Sequence, residues 1–466
     1  MMVRVFRHFV PVSVILLALC EVLIITIAWY FYLSSSALAT DKLTSFFETP
    51  TLSLSVAFGG VMALTGLYHD KVFVDYRSLA VHIVISLIFL CPIAALGWAY
   101  WQNTLDPHAP LWEIYGKAAL SWLACILVTR AVFLSLTDLN LFRERILVLG
   151  TGTKAARIAE IVNAGKNRYF TPIAYLRLTG QPLKFHVDPV KLDENDPGEI
   201  VRYAQQFRAK EIVVATDDRR GLPVRQLLQC RIAGIRVIDY LDFLERETMS
   251  VDLAAAQPGW FIFSDGFRGY GLSQVGKRCF DICISLALLA FTLPLMALTW
   301  LLVVLESPGP ALYRQERVGL GGRPFVLLKF RSMRVDAETS GKAQWAVAND
   351  PRVTRIGSII RKVRIDELPQ LINVLRGDMS LVGPRPERPA FVDRFAEQIP
   401  FYPERHCVRP GITGWAQINY PYGASPQDAR NKLSYDLYYV KNHGLFLDLL
   451  IVLQTFRVIL FADGAR

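Results

Sequence analysis

The spacing of apolar and polar stretches divides the chain into a membrane-like first part and a mixed second part. Four long apolar segments fill the first 140 residues, and each approaches the roughly 20 residues that a helix needs to cross a bilayer. They cover about Pro11–Leu33, Leu52–Tyr68, Leu79–Trp101 and Ile114–Leu136. The pattern predicts a four-helix transmembrane bundle over residues 1–140.

Basic residues at the segment ends predict the orientation of this bundle. Arg4 and Arg7 precede the first segment, and Arg143 and Arg145 follow the fourth. The first loop carries only Lys42, and the third loop carries no lysine or arginine. Since cytoplasmic flanks are enriched in Lys and Arg, both ends of a multi-pass bundle are expected in the cytoplasm.

Three ionisable residues, Glu21, Lys117 and Arg130, fall in or near the predicted spans. Such residues mark an ion or substrate path in some membrane proteins. They also occur as pairs inside a bundle, or as long side chains that reach the interface from a helix end. We favour the second interpretation.

The pattern changes to alternating strands and helices over residues 141–245. The run Ile146–Gly150 predicts a buried strand, and a glycine turn and a helix over Thr153–Asn163 follow it. Glu211–Thr216 and Arg236–Leu241 predict later parallel strands. We expect a Rossmann-like cytoplasmic domain here, which could support a homodimer.

The first turn of this domain, GTGTKA, carries part of a dinucleotide fingerprint at Gly150, Gly152 and Ala155. The acid expected about 20 residues later is missing, because the next strand carries Arg177 instead. The partial fingerprint raises one hypothesis, an NAD-dependent sugar-nucleotide-modifying enzyme that is anchored in the membrane. A structural or regulatory domain is the other, and we favour it.

A connector at 246–276, rich in glycine and aromatic residues, leads to a fifth apolar segment over 277–306. Lys277 and Arg278 introduce this segment, and Pro294 stands in its middle, where a proline removes a hydrogen bond and bends a helix. The segment is either a kinked transmembrane helix or a re-entrant helix that enters and leaves by the same face.

The remaining residues, 307–466, have the pattern of a compact α/β domain. Strands near Ala311–Glu316 and Phe325–Arg331, joined by a turn at Gly319–Gly322, predict a hairpin. Lys329 and Arg331 are two residues apart, so both are expected on one face of the second strand.

The most informative feature of this domain is the acid pair Asp366 and Glu367. Asp366 is expected to be the N-cap of the following helix, and acids are common at helix starts for that reason alone. The surrounding arginines exceed what two acids need and suggest a ligand with several negative charges, such as a diphosphate. They are Arg361, Arg364, Arg385, Arg388, Arg405 and Arg409.

These residue types suit phosphate transfer. The cations are expected to keep both acids ionised, and they would neutralise a phosphate beside them. An aspartate can attack phosphorus to form an acyl phosphate, so Asp366 is the candidate nucleophile. Glu367 could hold Mg²⁺ against the phosphate oxygens.

Overall composition agrees with membrane chemistry. Hydrophobic residues make up 52% of the chain, the mean hydropathy is +0.30 and the formal net charge is +10. In a membrane protein such a positive surplus usually serves cytoplasmic loops and anionic lipid head groups. No nucleic-acid-binding motif occurs, so nucleic acid is not an expected partner.

Four motifs in the last third of the chain resemble the bacterial sugar transferase family. They are KFRSMR, IDELPQLINVLRGDMSLVGPRPE, RPGITGWAQIN and KLSYDLYYVKN with the later DLLIVLQT, within about Gly276–Phe461. These proteins are monotopic phosphoglycosyl transferases. The preceding bundle and α/β domain resemble the long, WbaP-type form. Many members have Thr-Ser or Thr-x-Leu before the acid pair where this chain has Val363, Arg364 and Ile365, which leaves the sugar open.

The resemblance implies the roles of particular residues. It implies a re-entrant helix broken at Pro294, with Asp366 as nucleophile and Glu367 as its partner at a Mg²⁺ site. It also implies phosphate- or uridine-binding residues and one further acid of the site. These map onto Lys329, Arg331, Arg361, Arg385 and Asp436.

The resemblance further implies an activity. A hexose-1-phosphate would pass from a UDP-sugar to undecaprenyl phosphate with release of UMP, at the cytoplasmic face of the bacterial inner membrane. This would begin exopolysaccharide or O-antigen synthesis. A third hypothesis, besides this enzyme and the NAD-dependent one, is a membrane-anchored scaffold whose arginines bind anionic lipid.

The C-terminal segment, Leu445–Phe461, is apolar with Asp448, Gln454 and Arg457 interspersed. We expect an amphipathic helix in the membrane interface. A buried core helix is the alternative.

Overall fold

The computed structural model describes most of the chain and divides it into two units. The described residues are 2–35, 51–68, 79, 81–90, 111–138, 143–165, 169–179, 181–192, 196, 198–264, 266–267, 272–335, 350–421, 423 and 425–461. One unit comprises Met1–Arg4 and Phe9–Phe243, and the other comprises Val5–His8 and Leu244–Arg466. The loop with Lys42 and the end of the third apolar segment lie outside the described residues.

The chain begins with a short hairpin and continues into apolar helices of the first unit. The strands are β1 (Met2–Val5) and β2 (His8–Pro11), and the helices are α1 (Val12–Ser35), α2 (Thr51–Leu64), α3 (Val81–Leu90) and α4 (Leu111–Asp138). Residues of all four helices share one buried apolar cluster, with Trp122 fully buried in it.

A buried ion pair joins α1 to α4. Arg130 Nη2 lies 3.3 Å from Glu21 Oε1, and Thr129 Oγ1 donates to the same oxygen at 2.9 Å. Both charged side chains are almost fully buried. The interpretation that these ionisable residues pair inside the bundle is therefore confirmed for Glu21 and Arg130.

The second half of the first unit is a parallel sheet with helices. The elements are β3 (Glu144–Leu149), α5 (Thr153–Asn163), β4 (Phe170–Arg177), β5 (Val190–Lys191), α6 (Glu199–Gln206), β6 (Glu211–Val214), α7 (Val224–Ile232), β7 (Arg236–Asp239) and then α8 (Tyr240–Thr248). The strand order is β5-β4-β3-β6-β7, with every pairing parallel. The three strands expected from their apolar runs are confirmed as β3, β6 and β7.

The second unit contains the connector, one long apolar helix and a mixed domain. Its elements are α9 (Pro258–Phe263), α10 (Leu272–Glu306), β8 (Leu312–Val318), β9 (Pro324–Phe330), α11 (Arg355–Lys362), α12 (Gln370–Arg376), β10 (Ser380–Val382), α13 (Pro389–Gln398), β11 (Gly411–Thr413), α14 (Trp415–Asn419), α15 (Pro426–Asn442) and α16 (Leu445–Phe461). The predicted hairpin is confirmed as the antiparallel pair β8–β9.

Helix α10 is the one helix among the described residues that is long and apolar enough to cross a membrane. Pro294 lies inside it, and only 17% of its apolar stretch is buried. Large apolar side chains such as Phe291 and Leu305 are exposed along it. The helix therefore presents an apolar surface that the other residues described by the structure leave uncovered.

The connector packs against the domain that follows it. Lys441 Nζ lies 4.1 Å from the centre of the Trp260 ring, and the rings of Phe261 and Phe401 are 4.4 Å apart. Gly266 has a φ of +129°, and a side chain there would strike Lys441. The described part of the connector therefore packs on this domain.

Candidate active site

The acid pair lies in a tight turn between α11 and α12. Arg364 has a left-handed backbone (φ 57°), which is uncommon outside glycine, and a 3₁₀ turn over Ile365–Glu367 follows it. The N-cap of α12 is Pro369, so the expectation that Asp366 caps this helix is wrong. The left-handed Arg364 changes the direction of the chain and begins the turn that contains Asp366, so α12 starts only later, at Gln370. Gly377 ends α12 with a φ of 94°, a left-handed conformation that glycine adopts readily.

Helix α12 is fixed to β9 by one buried amide. Asn373 accepts a hydrogen bond from Leu328 N at 3.0 Å and donates one to Val326 O at 2.7 Å. Asn373 is fully buried. Since β9 also carries Lys329, these bonds set the distance between the acid turn and that lysine. The sequence signal for this role is a single amide within the apolar pattern LINVLR, and it is not among the candidate residues named above.

Glu367 is held by two arginines. Arg385 Nη2 donates to Glu367 Oε1 at 2.8 Å, and Arg364 Nη1 lies 3.8 Å from the same oxygen. Burial alone would raise the pKa of Glu367, but the charges of Arg385 and Arg364 outweigh it and lower the pKa. Glu367 is therefore an ionised and oriented carboxylate.

Asp366 behaves differently from its neighbour. Burial and the adjacent Glu367 charge raise the pKa of Asp366 to about 6, against the opposing charges of Lys329, Arg385 and Arg361. The expectation that the cations keep both acids ionised is therefore wrong near and below pH 6 for Asp366. The reason is desolvation, which the arginine count in the sequence does not reveal.

Lys329 completes the charged centre from the hairpin. It lies opposite Tyr313 in the β8–β9 pair, and its Nζ is 5.0 Å from the centre of the Tyr313 ring. Burial, with the charge of Arg317, lowers the pKa of Lys329 to about 8 against the opposing charge of Asp366. Asp366 thus interacts electrostatically with its neighbour Glu367 and with the cations Lys329, Arg361 and Arg385.

A row of polar side chains on β8 supports this centre, and the sequence analysis did not identify it. Arg317 donates to Gln315 Oε1 through Nε and Nη2, at 3.1 and 2.6 Å, and Gln315 Nε2 donates to Tyr313 OH at 3.2 Å. Arg317 Nη1 also donates to Pro386 O at 3.0 Å. The alternate spacing in YRQER was the available signal, because it places all three side chains on one face of the strand.

Arg331 lies apart from this group. Its guanidinium donates to Pro308 O at 2.8 Å, to Ser307 O at 2.7 Å and to Val303 O at 3.2 Å. These carbonyls belong to the last turn of α10 and the loop after it, where helix carbonyls lack intrahelical partners. The contacts give Arg331 a structural task at the end of α10, while a substrate contact for it stays a prediction.

Asp436 lies behind Arg385 and is connected to it through Arg405. Arg405 Nη2 lies 2.8 Å from Asp436 Oδ2 and donates to the backbone oxygen of Arg385 at 2.9 Å. Arg405 Nη1 donates to Tyr402 OH at 2.8 Å. Asp436 and Arg405 are both buried, so the pair supports the loop that carries Arg385.

The donor set at the acid pair fits a magnesium ion that is shared with phosphate. Asp366 and Glu367 supply two adjacent carboxylates. The described part of the chain contains no group of three or more His, Cys, Asp or Glu side chains arranged to hold a metal. Mg²⁺ typically takes only one or two protein carboxylates and completes its octahedron with water and substrate phosphates, so two acids suffice.

The partial dinucleotide fingerprint of the first unit is filled by the chain itself. Asp217 accepts hydrogen bonds from Thr153 N at 2.8 Å, Thr153 Oγ1 at 2.7 Å and Lys154 N at 3.1 Å. A side chain at Gly152 would overlap Asp217. The N-terminus of α5, where a pyrophosphate would bind, therefore already holds a carboxylate, which disfavours the NAD-dependent hypothesis.

The second unit thus combines a partly buried acid pair, a cluster of cations and an exposed apolar helix that is long enough to cross a membrane. The model of the family described as "Bacterial sugar transferase" matches residues 272–462. The chain belongs to this family, whose members include enzymes that transfer sugar phosphates.

Three relatives illustrate the match. A UDP-N-acetylgalactosamine-undecaprenyl-phosphate N-acetylgalactosaminephosphotransferase of Aeromonas hydrophila is 45% identical over 64% of this chain and 70% of its own length. A UDP-glucose:undecaprenyl-phosphate glucose-1-phosphate transferase of Caulobacter vibrioides is 47% identical over 41% and 71%. An undecaprenyl-phosphate glucose phosphotransferase of Komagataeibacter xylinus is 30% identical over 82% and 73%, so the similarity extends well beyond the matched family region to the long form.

Proposed function

We propose that this enzyme transfers a sugar-1-phosphate from a UDP-sugar to undecaprenyl phosphate and releases UMP, as the first membrane step of exopolysaccharide or O-antigen synthesis. The observation that carries the proposal is the partly buried acid pair among Lys329, Arg361 and Arg385. The names of the relatives support both substrates, and they include glucose and N-acetylgalactosamine as sugars. The sugar of this chain therefore stays open between hexoses and their N-acetylated forms.

The proposed first step is attack by an Asp366 oxygen on the sugar-bearing phosphorus. The bond from that phosphorus to the oxygen that bridges the two phosphates breaks, and UMP leaves with the electron pair. In the second step an oxygen of the lipid phosphate attacks the same phosphorus, and the bond to Asp366 breaks, which restores the carboxylate. Lys329, Arg361 and Arg385 offset the charge that develops on the phosphate oxygens.

Glu367 is proposed to orient Arg385 and not to attack the sugar-bearing phosphorus. Its bond with Arg385 fixes one carboxylate oxygen and holds the cation over the site. Glu367 and Asp366 would hold Mg²⁺ together with the diphosphate oxygens. When bound, the ion would neutralise phosphate charge and assist departure of UMP.

Helix α10 is proposed to be re-entrant, because both of its ends bind the same domain. Near its start, Arg278 donates to Val374 O at 2.6 Å and to Leu375 O at 2.8 Å. At its end, Glu306 accepts from Ile356 N at 3.1 Å. A helix that crossed the bilayer would separate its ends by about 30 Å of hydrocarbon, which the domain could not bridge. The break at Pro294 would let the helix turn back to the cytoplasmic face.

Further contacts of the chain support the proposed attachment to the membrane. Leu447 and Ile451 of α16 are fully buried, whereas Leu445, Leu449 and Phe456 are about half exposed. One side of α16 therefore packs on the domain, and its exposed apolar side suits the membrane interface.

We further infer that the apolar segments of residues 1–140 form four spans of the inner membrane. The strand order of the parallel sheet supports a Rossmann-like fold for the cytoplasmic part that follows.

The assay that tests the function measures UMP release across a panel of UDP-sugars, with undecaprenyl phosphate and Mg²⁺ in detergent or vesicles. We expect at least one UDP-hexose or UDP-N-acetylhexosamine to give UMP and a lipid-linked sugar in equal amounts. Absence of UMP with every donor would contradict the proposal and favour a scaffold. Conversion of a UDP-sugar that required NAD and no lipid would favour the dinucleotide enzyme.

The rate of this enzyme should depend on pH in two limbs. Asp366 attacks only as the carboxylate, so kcat/KM should fall about tenfold per pH unit below its pKa of about 6. Lys329 loses its charge above its pKa of about 8, so kcat/KM should also fall above that value. The measurement is the initial rate of UMP release against pH. A rate that stays constant well below pH 6 would contradict the role of Asp366.

A further inference from the structure

A buried polar network lies near the start of α10, apart from the charged centre. Lys277 Nζ donates to Asp448 Oδ2 at 2.7 Å and to Tyr439 OH at 3.3 Å. Its third proton goes to Val382 O, at 3.2 Å. Tyr439 OH lies 2.7 Å from Asp448 Oδ1 and 3.0 Å from Val382 O. Lys277, Tyr439 and Asp448 together form the helix-base network.

Packing alone does not account for the helix-base network. Tyr439 and Asp448 are fully buried, and the side chain of Lys277 is only 15% exposed. Burying an ammonium and a carboxylate costs free energy even when they are paired, and apolar side chains of similar size often stabilise a protein as well or better. The polar side chains add something that apolar ones cannot, a directed hydrogen bond to Val382 O, at the last residue of β10.

Helix α10 also bonds to the rest of β10. Asp281 lies one helical turn after Lys277, on the same face of α10. It accepts hydrogen bonds from Ser380 Oγ at 3.1 Å and from Leu381 N at 3.2 Å. Since β10 comprises only Ser380, Leu381 and Val382, side chains of α10 hold every residue of this strand.

The loop that follows β10 carries Arg385 and is hydrogen-bonded along its whole length. Gly383 could not shift easily, because an added side chain there would strike Arg409 O. Each backbone group named next belongs to residues 383–387 in chain order and bonds to another element, so the position of Val382 is transmitted to Arg385. Gly383 N donates to Thr413 O at 2.9 Å, and the oxygens of Pro384, Arg385, Pro386 and Glu387 accept from Gly411 N at 3.0 Å, Arg405 Nη2 at 2.9 Å, Arg317 Nη1 at 3.0 Å and Val318 N at 2.9 Å.

We propose that Lys277 and Asp448 are positioning residues for Arg385. By fixing Val382, the helix-base network sets where the Arg385 guanidinium meets Glu367 and the phosphate of the donor. The inference rests on the proposed function and adds residues outside the charged centre on which its geometry depends. Lys277 lies on α10 and Asp448 on α16, so the two helices proposed to contact the membrane meet at the bond that holds the catalytic loop.

The test is a double-mutant cycle between the helix-base network and Arg385. The first network variant is Lys277→Met. The second combines Lys277→Met with Asp448→Asn, which leaves no unpaired charge buried and keeps an acceptor for the Tyr439 hydroxyl, so that folding is retained. Each would be made in the full-length wild type and in Arg385→Ala. The measurement is kcat and KM for the UDP-sugar, from UMP release in vesicles with undecaprenyl phosphate.

The matched control is Arg278→Met, at the neighbouring position of α10. It removes two hydrogen bonds that also hold the start of α10 to the domain, but these bonds go to Val374 O and Leu375 O of α12 and not to β10. The control therefore loosens the same end of the same helix without removing the bond to Val382.

In the wild-type background, either network variant is expected to lower kcat about 10- to 100-fold, because small displacements of a catalytic group have effects of this size. In the Arg385→Ala background the same changes should lower kcat by less than about twofold, since the side chain that they position is absent. Arg278→Met should lower kcat by the same factor in both backgrounds.

Three results would overturn the inference. Equal losses for the network variants in both backgrounds would mean that the network only stabilises the domain. An unchanged kcat in the wild-type background would mean that Arg385 does not depend on it. A loss in Arg278→Met that also vanishes in Arg385→Ala would mean that any loosening of α10 acts in this way. A wild type that releases no UMP from any donor would instead contradict the proposed function.

Discussion

Asp366→Asn is expected to lower turnover by at least about 10⁴-fold and to abolish the burst of UMP without acceptor. The amide keeps the size of the side chain but cannot form an acyl phosphate with the sugar-bearing phosphorus. Steady-state UMP release and a single-turnover burst would be measured with the donor that the wild type uses. Asp393→Asn, at an exposed position of α13, is the matched control and should keep full activity.

The same substitution should not destabilise the protein. Because burial raises the pKa of Asp366 to about 6, folding favours its protonated form. That contribution is complete below the unfolded-state pKa of about 3.9 and is lost as the pH rises through about 6. A neutral amide avoids the loss, so at higher pH Asp366→Asn should melt no lower than the wild type. If the variant is inactive and also unfolded, the role of Asp366 is tested by detecting the covalent sugar-phosphate adduct on the wild-type enzyme. An active variant would contradict the assignment of Asp366 as the nucleophile.

Arg385→Ala is expected to lower kcat by about 10²–10³-fold. The change removes one cation from the developing phosphate charge and leaves the partly buried Glu367 without its 2.8 Å hydrogen bond. Arg385→Lys should recover only part of the loss, because an ammonium lacks the planar fork of a guanidinium. The measurement is kcat and KM for the UDP-sugar.

The control for this prediction is Arg376→Ala, which removes an exposed arginine from the last turn of α12. It should leave both constants within about twofold of the wild type. A full kcat in Arg385→Ala with only a raised KM would mean that Arg385 binds the donor without acting in the transition state.

Local patterns in the sequence predicted the hairpin and the parallel strands correctly. Period-two alternation and a glycine turn suffice for β8 and β9, because both signals lie within 20 residues. The acid pair was also evident from its arginine surroundings. The backbone conformation around the pair was not evident. Arg364 begins the turn with a left-handed backbone, and an arginine in the sequence gives no indication of that conformation.

Long-range contacts account for what the sequence analysis missed. Lys329 and Arg331 are two residues apart, yet Arg331 binds the end of α10, which only the folded chain brings there. Asp448 was read as a polar residue of an amphipathic helix. It is instead fully buried and bonded to Lys277 Nζ at 2.7 Å. In the first unit, Asp217 fills the helix N-terminus from 64 residues away, so the glycine turn alone suggested a free site.

The central claim is that the Asp366 carboxylate becomes covalently bonded to the sugar phosphate. Its most direct test is mass spectrometry of peptides from enzyme that has been mixed with the UDP-sugar in the absence of acceptor, quenched in acid and digested. The account predicts that the peptide containing Asp366 gains the mass of one sugar phosphate, and that undecaprenyl phosphate removes it. A burst of UMP with no adduct on this peptide, or an adduct on another residue, would contradict the account.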